Sequence, residues 1–395
     1  LGLAAVGLVS LPAALFAEEK LNPMLTAVTP TSISGSVSTS VEWAPGTGNG
    51  FSSPRLYQQG KADGFILDVV SLTLDKPLDE GNWAAGYHVD LWLGPDANAF
   101  ASQSTDARAD FAIKQAYVAL RAPLGNGLDF KVGVFDSIIG YESHDSYKDP
   151  NYTRSYATSI EPHTHTGILA SYQFSSLVSL SAGIANTTGP AINSRANPPK
   201  AESFKSYMGS VALTAPDGWG FVTGSTLYAG FVNGWTDNTN GLNGTTINLY
   251  GGVTLNTPIK NWRFGASYDY ATRTDDAVPG GSQAELNAWA ITGYSSYQLT
   301  EKASLHLRGE FAQTDANIFN TGTQLSNGDS KLFGVTATLQ YDLWKNVISR
   351  LEFIWDHEAG DNNMRRFGGN GDPATSDGGR VHNRYTLALN LIYRF

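Results

Sequence analysis

The chain has 395 residues, no cysteine, 16% charged residues and a formal net charge of −10. Without cysteine there are neither disulfides nor thiolate metal sites, and the acidic balance disfavours nucleic acid as a partner, because phosphates bind lysine and arginine. This length predicts two or three ordinary domains unless one large closed sheet uses most of the chain.

The N-terminal segment Leu1–Ala17 is apolar and uncharged, and the charged triplet EEK follows it. This pattern is typical of a secretory signal that is truncated at its start and cleaved after Ala17. The alternative is a membrane anchor, but the run is short for a spanning helix and contains Pro12. We therefore expect a signal peptide at residues 1–17, a periplasmic leader at 18–30 and a β-barrel at 31–395.

From residue 31 onward, apolar and polar residues alternate with period two, which predicts β-strands. In the segment WRFGASYDY, residues 262–270, every second residue is aromatic or apolar. The second, fourth and twelfth strands alternate poorly, which suggests β-bulges in them. The predicted strands are 31–43, 64–76, 83–93, 111–121, 127–136, 166–175, 177–186, 206–214, 220–233, 246–255, 262–270, 285–299, 302–313, 330–343, 347–357 and 382–395.

These strands are about nine to fourteen residues long, whereas strands of soluble proteins average five or six and a membrane-crossing strand needs about nine to eleven. Their connections alternate between short turns, such as APLGNG, and long polar segments. Because lipid satisfies no backbone hydrogen bonds, a spanning sheet must close on itself. The sequence therefore predicts an all-β, transmembrane antiparallel barrel of about 16 strands, with short periplasmic turns and long extracellular loops. A soluble secreted β-rich protein is the alternative.

Aromatic residues cluster near the ends of the predicted strands, as expected for rings at the two membrane interfaces. The last strand, RYTLALNLIYRF, alternates up to Phe395, which predicts that it pairs with the first strand. Such an ending resembles the signal that outer-membrane assembly machinery reads; the alternative is a plain edge strand, whose apolar face would invite aggregation. The aromatic residues are Trp43, Trp83, Trp219, Trp262, Tyr297, Tyr341, Trp344, Trp355, Tyr385, Tyr393 and Phe395.

With lipid outside, the polar face of each strand points into the barrel, and sixteen strands leave an aqueous channel. We expect charged residues of both signs on these faces to line the channel as a set, although any single one is better explained as a solvated wall position. The predicted pore-lining residues are Lys114, Lys131, Arg263, Arg308, Glu310, Arg350, Glu352 and Arg384, and Asp269 lies on the same faces.

The connection from Asp136 to Thr166 is the longest and contains rings and aliphatic residues that allow it to pack. Loops of this length are usually functional or disordered. We expect this one to fold into the barrel and constrict the pore, with its acidic groups opposite basic wall residues; the alternative is an external flap. The charged residues of the predicted constriction loop are Asp136, Glu142, Asp145, Asp149, Arg154 and Glu161.

The stretch from Lys114 to Phe174 carries a family resemblance. It contains a strand ending in Gly-x-Phe (Gly133–Phe135), the triplet Gly140–Glu142, Ser155, and the spacing Pro-x-x-x-x-Gly from Pro162 to Gly167. In these motifs the chain resembles the Putative beta-barrel porin-2 (OmpL-like) family of bacterial outer-membrane proteins. The resemblance implies a pore-forming outer-membrane protein and names no solute.

These features predict an outer-membrane porin through which small hydrophilic solutes and ions diffuse passively. The alternative is a barrel with a plugged lumen that serves as an adhesion or partner-docking scaffold. The expected partners are outer-membrane lipid, small solutes, the assembly machinery and further copies in a homotrimer.

The sequence offers little enzyme or cofactor chemistry. No Gly-x-Ser-x-Gly or Walker motif is present, so neither an enzymatic activity nor a cofactor is expected. The HTH triplet, His163–His165, could place two imidazoles on a metal, but it also reads as a polar loop that enters a strand. The segment Ala359–Arg380 lacks the acid spacing of a calcium loop.

Overall fold

The computed structural model is a closed antiparallel barrel in which each strand pairs with its neighbours in sequence and the last strand pairs with the first. The sixteen strands confirm the predicted fold class. The structure describes residues 31–46, 53, 55–58, 60–79, 81, 83–104, 109–196, 203–236, 244–275, 284–314, 330–359, 367 and 381–395. The predicted signal peptide and leader, residues 1–30, lie outside these residues.

The strands are long and regular. They are β1 (Ser32–Trp43), β2 (Gly64–Lys76), β3 (Ala84–Leu93), β4 (Phe111–Ala122), β5 (Leu128–Asp136), β6 (Thr164–Gln173), β7 (Val178–Ala185), β8 (Ser206–Thr214), β9 (Thr226–Trp235), β10 (Thr245–Asn256), β11 (Trp262–Asp275), β12 (Ala284–Gln298), β13 (Ala303–Thr314), β14 (Ser330–Trp344), β15 (Val347–Glu358) and β16 (Asn383–Arg394). A short helix, α1 (Pro95–Phe100), follows β3. No helix in the described ranges is long and apolar enough to cross a membrane.

The connections at one end, such as 123–127 and 345–346, are mostly short, and we call this the short-turn end; the other is the long-loop end. The connection 215–225 breaks the predicted alternation, since it is longer than 276–283 at the opposite end. Its middle, Gly220–Val222, forms a 3₁₀ turn, and Gly218 and Gly220 have φ values of +94° and +69°, which glycine adopts without strain. Strand β9 therefore begins at Thr226 and not at residue 220 as alternation predicted.

The outer surface of the barrel is apolar and its inner surface polar. Along β16, Leu387, Leu389 and Leu391 are 38–53% exposed, whereas Thr386 and Asn390 between them are at most 3% exposed. The terminal aromatic residues follow the same rule, with Trp43, Trp83, Trp219 and Trp344 among the most exposed large side chains. This inverted distribution is what a barrel surrounded by lipid requires.

Closure takes place between β1 and β16, as the last strand's pattern predicted. The two strands pair from Ser36↔Arg394 to Trp43↔Leu387, and Gly35 and Phe395 exchange two backbone hydrogen bonds of 3.0 Å. The pairing leaves no free edge in the sheet, which satisfies the backbone groups that lipid cannot.

Two β-bulges bring charged side chains to the inner face. The register between β1 and β2 shifts at Asp68, and that between β3 and β4 shifts at Lys114, so each bulge turns two consecutive residues inward. Bulges commonly re-aim a side chain in this way. They confirm the irregularity suggested for the second and fourth strands; β12 pairs with both neighbours without a shift.

Candidate functional site in the barrel interior

The connection between β5 and β6 runs through the barrel interior, and we call residues 137–163 the inner loop. Its first part packs on an apolar patch of the wall: Ile138 and Ile139 are buried with Leu169, Met208, Tyr228, Val232 and Tyr250 of β6, β8, β9 and β10. The Tyr228 hydroxyl donates a hydrogen bond to the Ile138 carbonyl oxygen. Apolar burial therefore fixes the start of the inner loop against one side of the barrel.

The middle of the inner loop is bound to the opposite wall by charged residues on β13. Arg308 forms an ion pair of 2.9 Å with Glu142 and donates to the Thr153 carbonyl oxygen at 2.5 Å. Glu310 accepts a hydrogen bond of 2.7 Å from the Tyr156 amide. Both wall residues were predicted to line the pore, and both are at most 6% exposed because the inner loop covers them.

Strands β14 and β15 hold the adjoining stretch. Glu352 accepts hydrogen bonds from the amides of Tyr152 and Thr153 at 2.7 and 2.9 Å. Arg350 donates to the carbonyl oxygens of Ser146 and Asp149 at 2.9 and 2.5 Å. These partners are backbone atoms, so the wall recognises the path of the loop and not only its side chains.

Lys114 joins the beginning of the inner loop to β3. Its ammonium lies 2.8 Å from Asp136, 3.4 Å from Asp145 and 3.4 Å from Asp90, and the side chain is fully buried. The bulge in β4 supplies this position, since regular alternation would not turn both Lys114 and Gln115 inward. One ammonium group therefore forms ion pairs with three carboxylates. Two of them, Asp136 and Asp145, belong to the predicted constriction loop.

Sequence reasoning missed Arg55, which comes from the connection between β1 and β2. Its guanidinium lies 2.6 Å from both Asp356 and Glu310 and donates to the Arg154 carbonyl oxygen at 2.9 Å. From the same connection, Lys61 binds Asp68 at 2.6 Å. The only sequence signal was a pair of cations in a long polar connection, and periodicity says nothing about where such a connection folds.

The motif residues that carry the family resemblance stabilise the inner loop by contacts within the loop itself. Glu142 accepts hydrogen bonds from the Ser155 amide at 2.6 Å and from the Thr158 hydroxyl at 3.0 Å. Gly140 has a φ of +122°, and a Cβ at that position would lie 2.6 Å from a carboxylate oxygen of Glu161. Both the conformation and the space therefore require glycine there.

Acidic groups of the inner loop titrate unusually. The carboxyl group of Glu161 is hydrogen-bonded to that of Asp269 on β11; burial and this neighbour raise the pKa of Glu161 well above its usual value of 4.5. Burial also raises the pKa of Asp149 to about 7, although Arg154 lies 3.3 Å away and opposes the shift. A hydrogen bond between two carboxyl groups requires a proton on one of them, so Glu161 and Asp269 share one negative charge at most.

Of the two histidines of the HTH triplet, His163 ends the inner loop and His165 lies in β6. His163 stacks on Phe100 with ring centroids 5.4 Å apart, and its Nδ1 lies 3.2 Å from the Phe100 carbonyl oxygen. His165 is fully buried near Phe135. In the described part of the chain, no three histidine, aspartate or glutamate side chains are grouped as a metal would need. Most of the segment Ala359–Arg380 lies outside the described residues.

A space remains beneath the inner loop near the short-turn end. It has a volume of about 20 Å³ and lies between Tyr141, Glu142 and Asp149 of the loop and Thr254, Arg263 and Ser296 of β10–β12. The Tyr141 ring stacks on Tyr294 at 4.1 Å and passes over Gly265, where a Cβ would lie 1.8 Å from the Tyr141 hydroxyl. Glycine at 265 therefore makes room for the inner loop.

The remaining predicted pore-lining residues also face inward. Lys131 is half-buried, with its ammonium 4.8 Å from the centre of the Tyr117 ring. Arg384, near the long-loop end, donates to the Thr386 hydroxyl at 3.2 Å. The geometry thus gathers all eight predicted wall residues on the inner face; whether solutes pass along them stays a prediction.

The comparisons with known proteins give a family and a fold. Residues 30–395 match the family described as "Putative beta-barrel porin-2, OmpL-like". Among solved structures, the anion-selective porin from Comamonas acidovorans superposes with a TM-score of 0.61 at 12% identity, over 92% of this chain and 99% of that one. No curated protein matches.

Two further structures show the same barrel. OmpT of Vibrio cholerae, in its trimer form, gives a TM-score of 0.58 at 14% identity over 92% of this chain and 99% of that one. The outer membrane channel DcaP of Acinetobacter baumannii gives 0.59 at 11% identity over 93% and 97%. At these identities the likeness concerns the fold.

Proposed function

Because the chain belongs to the Putative beta-barrel porin-2, OmpL-like family, we propose that it forms a channel for passive diffusion of small hydrophilic solutes and ions. The protein is a porin of the bacterial outer membrane. The observation that supports diffusion best is a closed barrel with an apolar outside and a charged inside, in which one loop narrows the interior. We assign it no enzymatic reaction.

The inner loop would act as the constriction. Its acidic residues Glu142 and Asp145 lie against the basic wall residues Arg308 and Lys114 at 2.9 and 3.4 Å. These contacts close the space between loop and wall at those points, so solutes would pass beside the ion pairs and the constriction would select mainly by size. The passage would continue past the space beneath Tyr141 towards the short-turn end, which we assign to the periplasm.

Two kinds of protein partner belong to this proposal. The Vibrio cholerae relative was solved in a trimer form, and a homotrimer is the assembly we propose for this chain. The closing strand that ends in Phe395 would be the segment that the outer-membrane assembly machinery reads during insertion.

The same contacts also fit a second candidate, a plugged barrel that serves as an adhesion or docking scaffold. Arg308, Arg350 and Glu352 are at most 1% exposed, since the inner loop covers them. A loop held this firmly would close the lumen unless solutes pass beside it. Conductance measurements separate the two functions.

Purified protein in a planar lipid bilayer is expected to give stepwise, water-filled conductance. Replacing residues 140–160 by a short glycine–serine linker should raise the conductance about twofold or more, because the constriction is removed while the strand ends stay intact. A folded wild-type barrel that stays silent would contradict the diffusion channel. Silence that changes to conductance on loop replacement would identify a plug.

A further inference from the structure

The charged groups around the inner loop are largely paired with one another. Glu142 is bound to Arg308 at 2.9 Å, Asp136 and Asp145 to Lys114 at 2.8 and 3.4 Å, and Asp149 to Arg154 at 3.3 Å. A charge that is compensated at contact distance has little field left for a passing solute. The narrow region is therefore nearly neutral to an ion that approaches it.

Arg263 differs from these groups. It is the second residue of β11 and faces inward, opposite Ser296 of β12 and Asn256 of β10. Its side chain is half-buried and makes no hydrogen bond or ion pair with any residue that the structure describes. A guanidinium in this state keeps its full charge and all five N–H donors available.

The surroundings of Arg263 suit an anion. The space that it borders, about 20 Å³ in this conformation, is also lined by Tyr141, Thr254 and Ser296. The Ser296 hydroxyl lies 2.8 Å from His306 Nδ1, and the Thr254 hydroxyl lies 3.4 Å from that of Tyr141. Two carboxylates border the same space, but Glu142 is neutralised by Arg308, and Asp149 is both paired with Arg154 and shifted towards its neutral form, with a pKa raised to about 7 by burial. The net charge presented to a solute there is positive.

We propose that Arg263, together with the hydroxyl groups of Thr254 and Ser296, is a docking point for small oxyanions that pass between the inner loop and the short-turn end. The ligands are solutes that carry a carboxylate or phosphate group. A guanidinium binds either group through two parallel N–H donors, a geometry that lysine cannot reproduce. Because the site is half-open, the solute is held weakly enough to leave, as conduction requires.

This inference rests on the proposed function, since it concerns a solute within the passage. The experiment measures chloride current through the full-length protein in a planar bilayer while inorganic phosphate is titrated in as a blocker. The variants are Arg263→Gln, Arg263→Lys and, as a matched control, Lys260→Gln. Lys260 carries the same charge in the exposed turn before β11 and does not border the space.

Phosphate should reduce the chloride current of the wild type, and it should block Lys260→Gln at the same concentrations. Arg263→Gln should raise the half-blocking phosphate concentration about tenfold, in keeping with the loss of charge-assisted hydrogen bonds, and Arg263→Lys should give an intermediate value. In a potassium chloride gradient, the reversal potential of Arg263→Gln should shift towards cation preference.

Each other outcome counts against the docking point. If the wild type conducts but Arg263→Gln keeps its phosphate block and reversal potential, the docking point is wrong and the channel stands. If Lys260→Gln shows the same change as Arg263→Gln, the effect is general surface charge and the assignment to Arg263 fails. If folded wild type does not conduct, the proposed function fails first and this inference with it.

Discussion

At the scale of single residues, the interior of this barrel shows how buried charges are kept. Arg308 is 1% exposed and is surrounded by Glu142, Glu310 and the Thr153 carbonyl oxygen, all within 3.0 Å. Removing one partner from such a set costs about 3–5 kcal/mol, because the charge that remains is buried without compensation. The inner loop is kept in a single position mainly because any movement would leave a buried charge unpaired. The net stabilisation by the ion pairs themselves matters less.

Glu161 is the exception, since its hydrogen-bonding partner Asp269 is also an acid. Glu142 and Asp149 also act on it, and both are acidic. We call the inner loop seated when it lies against the wall as in this structure, and released when it has left the wall. In the seated loop, burial and these neighbours raise the pKa of Glu161. Below pH 4.5 the proton is bound whether the loop is seated or released; above it, only the seated loop keeps the proton. Seating is therefore weakened as pH rises through this window.

We predict that wild-type conductance rises between pH 5 and pH 8, as the ratio of seated to released loop falls by up to about tenfold per pH unit. Glu161→Gln removes the titrating group but keeps its shape, so its conductance should vary less with pH. Some dependence should remain, because burial also raises the pKa of Asp149 to about 7. His144 and His163 act in the opposite direction, because burial lowers the pKa of each and the released loop therefore binds protons below pH 6.5 that the seated loop does not. The rise in conductance should therefore be steepest above pH 6.5.

The readout is single-channel conductance at constant salt, with Glu301→Gln as control. Glu301 is an exposed acid in the turn between β12 and β13. Equal pH dependence in wild type and Glu161→Gln would show that the carboxyl pair does not govern the seating of the loop.

At the scale of elements, the inner loop is divided between two kinds of anchoring. Its start is buried among apolar side chains of β6–β10, and its middle is bound by charged residues of β13 and β15. Apolar packing tolerates small shifts, whereas hydrogen bonds to backbone amides fix the path of the chain. The bulges in β2 and β4 complete the arrangement by turning Asp68 and Lys114 inward.

A substitution at Gly265 tests how closely the inner loop packs against the barrel wall. Gly265→Ala would place a Cβ 1.8 Å from the present position of the Tyr141 hydroxyl, so the ring must leave its stack on Tyr294. Overpacking of this kind costs about 1–3 kcal/mol, and we expect the barrel to persist while the inner loop loosens. The measurement is the rate at which a protease cleaves the inner loop in detergent-solubilised barrel.

The matched control is Gly293→Ala on β12, where the nearest atom to an added Cβ is 3.9 Å away. We expect faster cleavage in Gly265→Ala and wild-type behaviour in Gly293→Ala. The same cleavage rate in both variants would mean that Tyr141 does not hold the loop.

At the scale of the whole molecule, stability depends on closure, since an open edge in lipid leaves backbone groups without partners. The seam places Gly35 under the Phe395 ring; a Cβ there would lie 2.6 Å from that ring and 2.3 Å from the Ser71 carbonyl oxygen. Glycine at 35 is thus required by the close approach of three strands. Its neighbours Ser36 and Ser38 continue the polar inner face.

We predict that Gly35→Val lowers the yield of closed barrel markedly, whereas Gly309→Val, at a position with no atom within 4 Å of an added Cβ, leaves it unchanged. Closure is measured by the difference in gel migration between heated and unheated samples, which closed barrels show. Normal closure in Gly35→Val would place the decisive contacts of the seam elsewhere.

The alternation of residue types along the chain is enough to predict the barrel. A two-residue alternation that is regular in thirteen of the sixteen predicted strands gives each of them an apolar and a polar face, and a closed sheet in lipid satisfies that pattern together with the backbone. The same parity placed Arg308, Arg350 and Glu352 on the inner face without knowledge of their partners. The prediction from alternation was wrong at the start of β9, which begins at Thr226 and not at residue 220.

Which charges form pairs depends on the folded arrangement of the chain. Arg55 and Glu310 are far apart in the chain, yet their side chains lie 2.6 Å apart, and no local pattern encodes that contact. Likewise, Lys114 reaches Asp145 because a bulge turns it inward and the inner loop returns to it. Alternation is a property of neighbouring residues and can be read in one dimension, whereas the pairing of charges across a barrel depends on where its longest loop comes to lie.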